Sequence, residues 1–368
     1  MANDEYVPKA YATIQETQLK YWEKIRHPFV AGLELTPACN MRCVHCYLHD
    51  YGVHETLSAA QWKEVIDRLY DGGVLILYMT GGEIFTRKDF PEIFVHAKKK
   101  GFIIELLTNA TALNDEILQT FLRYPPATVS ISLYGMSAET YEAVTGVKGS
   151  FERCMRAIRR LHEADLDIEL KFIGLRENKG DLYKAKAFAE SLGAKFKFNF
   201  EIFPAFQGDT DVLQHRISNE EILEIEKADE SIHGVLAANV LRPNPFAGAP
   251  SMPMFSCNVA STLCFVDSLG YVSPCNKMRL RDHSILQEPL AQIWEDYIER
   301  YAKLAAPPEY PCATCKNIFT CSPCPVINKL STGEYHIPCK VSCELAKMRV
   351  AEFSKAKYDK FRSEKPGA

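Results

Sequence analysis

The chain has 368 residues, 47% of them hydrophobic, enough to bury a core as one large or two moderate domains, which excludes disorder as its general state. Forty-three basic against 47 acidic residues leave a net charge of −4, which argues against wholesale nucleic-acid binding. The opening MANDEYVPKAY lacks the positive stretch and apolar core of a secretory signal, and no apolar run approaches the ~18 residues of a membrane span. A cytoplasmic protein without membrane or nucleic-acid partners is expected, in which the 13 cysteines hold metal rather than disulfides.

Residues 1–29 read as an N-terminal extension. From 30 to 205, short apolar strands alternate with helical stretches: GLELT (32–36), VLILYM (74–79), FIIELL (102–107), ATVSISL (127–133), IELKFI (168–173) and KFKFNF (195–200). The first connecting helix is well signalled. Ser58 can cap it, Gln61 closes a capping box, Leu57 can staple onto Trp62, and Trp62, Val65, Ile66 and Leu69 make one apolar face. Further crossovers are DFPEIFVHAKKKG, LNDEILQTFLR, FERCMRAIRRLHEA and DLYKAKAFAESLG, with Cys154 on a buried face of the third. Alternating strands and helices predict a parallel β/α array, whose active residues collect at the C-terminal ends of the strands. Periodicity alone does not choose an open sheet from an incomplete barrel.

Residues 206–256 combine a helical stretch with the proline-rich RPNPFAGAPSMPMF and read as a bridge. From 257 to 345 cysteine spacing dominates and long apolar strands vanish, so metal is expected to replace a missing core. The segment 346–368 begins helically and ends basic, as a solvated tail.

Two motifs follow the first two strands. CNMRCVHC sets Cys39, Cys43 and Cys46 in a CxxxCxxC array, which suits three irons of a cubane with the fourth free for an exogenous ligand. Zinc with His45 or His49 as fourth ligand is the competing reading, and otherwise His45, His49 and His54 are ordinary loop residues. After the second strand comes Thr80-Gly81-Gly82-Glu83, where two glycines let backbone approach a ligand and a carboxylate can meet an ammonium.

These two motifs in this order resemble the radical S-adenosylmethionine (SAM) family, over residues 30–205. The resemblance implies an incomplete (β/α)6 TIM-like barrel of class α/β. A [4Fe-4S] cluster on Cys39, Cys43 and Cys46 would chelate S-adenosylmethionine, with Gly81, Gly82 and Glu83 at the methionine ammonium. Ser132, ending SISLYG, would contact the ribose. Asn109, Arg176, Asn178 and Pro204 follow the third, fifth and sixth strands and would face the same rim.

Nine further cysteines lie at 257, 264, 275, 312, 315, 321, 324, 339 and 343. The pattern C-x12-G-x4-C, then CATCKNIFTCSPC, resembles the SPASM extension of peptide-modifying radical SAM enzymes, a small cysteine-rich iron–sulfur domain. One departure is that Cys321 and Cys324 are separated by two residues rather than three. The resemblance implies two auxiliary [4Fe-4S] clusters, three in all. Cys257, Cys264, Cys275 and Cys324 would hold the nearer. Cys312, Cys315 and Cys321 would hold the farther, with Cys343 favoured over Cys339. Ile293 and Trp294 would pack this module onto the barrel.

A radical SAM peptide maturase is therefore the leading expectation, with a ribosomally made peptide as substrate and a reductase, flavodoxin or ferredoxin as electron donor. Residues 1–29 are short for a leader-binding domain, so a separate leader-recognition protein is expected. Oxidation of a sulfatase-type protein is disfavoured because Asn276 stands where those enzymes carry aspartate. Tetrapyrrole side-chain modification would use similar clusters but has no identifying pocket in the sequence, and a zinc-binding interaction protein is the non-enzyme reading.

Overall fold

The computed structural model describes residues 26–48, 56–206, 208–249, 251–257, 259–321 and 323–354. His49, His54, the extension up to residue 25 and the basic end of the tail lie outside the described residues.

All six expected strands form: β1 (Val30–Glu34), β2 (Ile76–Thr80), β3 (Ile103–Thr108), β4 (Thr128–Ser132), β5 (Ile168–Ile173) and β6 (Lys195–Asn199). Each is parallel to its predecessor. The connecting helices are α1 (Ala59–Asp71), α2 (Phe90–Lys99), α3 (Asp115–Arg123), α4 (Ala138–Thr145), α5 (Ser150–Glu163) and α6 (Leu182–Ser191). The result is the parallel β/α array that the pattern predicts, in the partial barrel form that the family resemblance implies. The capping box of Ser58 and Gln61 closes as expected, and Trp62, Val65, Ile66 and Leu69 are all buried. Cys154 is fully buried, and desolvation pushes its thiol up to about 12, as for a small hydrophobe.

Helix α4 is an addition to the expected crossovers. Ser137 caps it, and Gly146 at φ 68° ends it in the left-handed conformation. It holds the motif loop, because Arg42 N–H and Val44 N–H donate to the carbonyls of Thr145 and Val144.

The cysteine-rich region departs from expectation in one respect: it supplies two strands to the same sheet. β7 (Leu263–Val266) lies parallel beside β1, with Val30 opposite Leu263, and β8 (Val272–Ser273) returns antiparallel to β7. The strand order is β6-β5-β4-β3-β2-β1-β7-β8. LCFV is too short to announce itself by alternation, and it becomes a strand because β1 offers it an unpaired edge.

The next helices are α7 (Asn219–Ala228), α8 (Glu230–Val240) and α9 (Leu290–Tyr297), then α10 (Ile318–Cys321), α11 (Pro325–Thr332) and α12 (Lys340–Glu352). Ile293 and Trp294 are buried as predicted. Trp294 Nε1 donates to the Arg26 carbonyl at 2.6 Å, and Leu290 sits where a Cβ on Gly72, at the end of α1, would be 2.8 Å away. Helix α12 continues from residue 340 past 345, and it carries Cys343 in its first turn.

Arg349 on α12 clasps α7 and α10. Its Nε donates to Glu226 Oε2 at 2.9 Å, its second guanidinium nitrogen pairs with the other oxygen, and its third donates to the Thr320 carbonyl at 2.7 Å. Because Glu226 is 6% exposed and Arg349 19%, Glu226→Ala leaves a largely desolvated guanidinium unpaired. We expect it to lower unfolding stability by roughly 2–3 kcal/mol. A urea titration of the metal-loaded protein reads this, and a midpoint within error of the parent refutes it.

Candidate active site

The site lies where β1, β2 and β3 end. Gly82 N–H donates to the Thr36 carbonyl at 2.7 Å and Glu83 N–H to that of Ala38 at 2.9 Å, so the two motif loops are sewn backbone to backbone. A Cβ on Gly81 would stand 2.3 Å from Thr36 O, and one on Gly82 2.3 Å from Ala38 O and 2.5 Å from Pro37 O. Only glycine allows that approach.

Glu83 is 1% exposed. One oxygen accepts from Thr108 Oγ1 at 2.6 Å and Phe85 N–H at 3.0 Å, and the other from Asn109 N–H at 2.6 Å. Burial raises its carboxyl pKa, and these donors oppose that rise. The carboxylate thus ties β2 to β3 behind the glycines, and the groups that line the cavity at this turn are Thr80, Gly81 and Gly82.

Cys39, Cys43 and Cys46 share the adjoining loop and line the cavity. Burial raises the Cys39 thiol to about 11 and pushes Cys43 higher still; Cys39 also feels the negative charge of Glu83 and Cys46, and Cys43 that of Cys46 and Cys39. Such a set favours a cationic group that displaces its protons. Among the described residues no three His, Cys, Asp or Glu side chains close on a single ion. A tetrahedral zinc would need sulfurs about 3.8 Å apart, given its short bonds.

Asn109 braces this loop. Its Nδ2 donates to Asn40 Oδ1 at 3.0 Å and approaches Cys39 Sγ at 3.8 Å, and its Oδ1 accepts from Thr111 N–H at 2.9 Å. Ser132, at the end of β4, and the buried Tyr134 both line the cavity.

Two rim expectations are corrected. Arg176 is exposed and does not line the cavity, because its Nε is held on the Arg216 carbonyl at 2.7 Å; Arg216 lines the cavity instead. Asn178 is 1% exposed and internal, accepting from Leu175 N–H at 2.7 Å and donating to the carbonyls of Tyr134 and Ile173, both at 2.9 Å. It closes the turn after β5. Pro204 is buried, while its neighbours Phe203 and Phe206 reach the cavity.

The cavity measures about 1040 Å³ and runs from the cysteine loop past β6 to Val341 and Leu345 on α12. KFKFNF gives it a comb of rings: period-2 alternation puts Phe196, Phe198 and Phe200 on one face, and all three line it. The same alternation could have marked them in the sequence. Opposite, Lys277 lies over Phe203 at 5.0 Å and pairs with Glu201 at 2.7 Å. Arg279 lies between Phe206 at 4.4 Å and Phe265 at 5.4 Å and pairs with Glu34 at 2.7 Å, while its buried Nε has no hydrogen-bond partner among the described residues. His45 also lines the cavity, edge-on to Tyr134 at 5.1 Å, and burial followed by the nearby His215 holds it neutral with a pKa of about 4. Its place between two motif cysteines is the only signal that could have singled it out.

The remaining cysteines fall into two groups. Cys257 and Cys275 each feel Cys324. Cys321 feels Cys343, Cys312 and Cys315, and Cys312 feels Cys315 and Cys343. Tyr310 is buried beside this group, and burial raises its hydroxyl pKa with Cys312, Cys321 and Cys324 adding to the rise. Cys339 acts on Cys343, and its N–H donates to Asn328 Oδ1 at 3.0 Å. Cys264 stands apart in β7, fully buried in the apolar core. No helix among the described residues is long and apolar enough to cross a membrane.

Residues 33–189 match the family model described as the Radical SAM superfamily. The AdoMet-dependent heme synthase of Methanosarcina barkeri is 28% identical over 330 residues, covering 84% of this chain and 94% of that protein. The mycofactocin maturase MftC of Mycolicibacterium smegmatis is 27% identical over 322 residues, 83% of this chain and 80% of the relative. Among solved structures, Streptococcus suis SuiB bound to the precursor peptide SuiA superposes with a TM-score of 0.60 at 14% identity, over 82% of this chain and 74% of that one.

Proposed function

From the premise that this chain is a radical SAM oxidoreductase with a SPASM-like cysteine-rich region, we propose that it is a peptide maturase. It takes hydrogen from a side chain or Cα of a ribosomally made peptide and yields a crosslinked, thioether-bridged or decarboxylated product. The cavity carries this reading: its length, from the cysteine loop to α12, and its wall of aromatic rings suit an extended peptide. Arg279 Nε, buried without a hydrogen-bond partner, offers a donor to a peptide carbonyl.

In this reading Cys39, Cys43 and Cys46 hold one [4Fe-4S] cluster, and two auxiliary clusters occupy the two C-terminal groups. When bound, the loop cluster and S-adenosylmethionine supply a 5′-deoxyadenosyl radical, and the auxiliary clusters supply acceptors for the second electron of a net oxidation. Gly81 and Gly82 present bare backbone to the methionine ammonium, with Glu83 fixing the turn from behind. Ser132 is the ribose contact, and Asn109 positions Cys39. The aromatic comb excludes water and orients the peptide. A flavodoxin- or ferredoxin-type protein is the electron donor.

Asn276 lies on the cavity wall, and its amide does not accept a substrate proton as a carboxylate would, which disfavours sulfatase-type oxidation. The heme synthase likeness favours tetrapyrrole side-chain modification as a second reading. The test is anaerobic turnover of the reconstituted enzyme with dithionite, S-adenosylmethionine and the precursor peptide encoded beside its gene. We expect 5′-deoxyadenosine together with a peptide lighter by two hydrogens, or by carbon dioxide and two hydrogens. Turnover of Fe-coproporphyrin III with an unchanged peptide would replace this reading by the second.

A further inference from the structure

Full ligation of a cubane takes four thiolates. The SPASM resemblance implies Cys264 as the fourth member of the set with Cys257, Cys275 and Cys324. In the fold it is the second residue of β7, opposite Ala31 on β1. Its neighbour Phe265 lies over Gly32, where a Cβ would meet its ring at 2.6 Å, and reaches the cavity. Successive strand side chains point to opposite faces, so Cys264 points away from the cavity into the core, with no exposed surface. Turning it round would require a one-residue slip of β7, which would bury Phe265 where Cys264 now fits.

No other cysteine takes the vacant place. Cys339 is 7% exposed and is tied through its backbone N–H to Asn328 in the turn before α12. Among the described residues, the hydrogen-bonding neighbours of the Cys275 sulfur are the Asn276 amide oxygen at 3.7 Å and the Lys277 backbone N–H at 3.4 Å. Neither is a soft anionic donor of the kind iron–sulfur clusters take. The group is also open to solvent, since Cys257 is exposed and Cys275 partly so.

Resting on the reading that the C-terminal region holds two clusters, we infer that the nearer one is held by only three thiolates, Cys257, Cys275 and Cys324. Its remaining iron position is left for a soft exogenous anion, a thiolate above all, and Cys264 is an inert core residue. The farther group, with Cys312, Cys315, Cys321 and Cys343, is complete.

The test uses the full chain with Cys39, Cys43 and Cys46 all changed to alanine, which removes the other open iron. After anaerobic reconstitution, about 8 irons per chain are expected for two cubanes. Reduced with dithionite and given carbon-13 cyanide, the protein should show a carbon hyperfine coupling to one of its paramagnetic clusters. Adding Cys264→Val, close in volume, should leave iron content and that coupling unchanged, while adding Cys257→Ala should abolish the coupling. About 4 irons would overturn the two-cluster reading and the inference with it. Eight irons without any cyanide coupling would overturn the inference alone, and so would loss of about 4 irons on adding Cys264→Val to a chain whose circular dichroism is unchanged.

Discussion

Replacing Gly82 by alanine should empty the motif loop of its cluster while the auxiliary region keeps its own. The added Cβ would lie 2.3 Å from the Ala38 carbonyl oxygen and 2.5 Å from that of Pro37, both backbone atoms that no rotamer change can move. Relief requires the loop carrying Cys39 to part from the β2 turn, breaking the bonds from Gly82 N–H and Glu83 N–H to Thr36 and Ala38. Overpacking of this kind costs roughly 1–3 kcal/mol. A shift of about 1 Å in a reacting constellation costs some 100-fold in rate. We therefore expect 5′-deoxyadenosine formation to fall by at least ~100-fold and iron to drop by about 4 per chain from about 12. Gly180→Ala is the control, since nothing lies within 4 Å of its added Cβ. A Gly82→Ala protein with full iron and parental turnover would show that the turn does not hold the loop.

The second large effect separates two cysteines that are four residues apart. Cys343→Ala should cost about 4 irons per chain, and Cys339→Ala none. Helix α12 places Cys343 one turn along, where it acts on both Cys312 and Cys321. Cys339 stands before the helix as its cap residue, and of these thiols it acts on Cys343. Anaerobic iron analysis and the electron paramagnetic resonance of the reduced auxiliary clusters read the difference. Loss of iron in Cys339→Ala with retention in Cys343→Ala would reverse the assignment.

Much of this protein is local and was therefore legible before folding. Ser58 and Gln61 close a capping box within one turn, Trp62 to Leu69 repeat on one helical face, and six apolar runs become six parallel strands because each carries its own crossover. CxxxCxxC and TGGE announce the chemistry through short-range spacing, and the nine later cysteines announce metal through their number. Composition and chain order suffice for such features.

Direction and depth depended on the tertiary structure. Residues 263–266 carry too short a pattern to read as a strand, and only the open edge of β1 makes them one. That pairing then decides, through strict alternation, that Phe265 faces the cavity and Cys264 the core, a distinction that counting residues between cysteines cannot contain. Arg176 and Arg216 follow the same logic: the turn after β5 carries one guanidinium outward and leaves the other on the cavity wall. Glu83 and Asn109, expected at the cofactor, also tie strand ends together across 26 and 69 positions of the chain, and Asn178 is drawn inward onto Tyr134, 44 positions away. The sequence by itself determined which chemistry is carried and on which loops. The fold alone decided which side chains face it, because facing is set by pairing between segments distant in the chain.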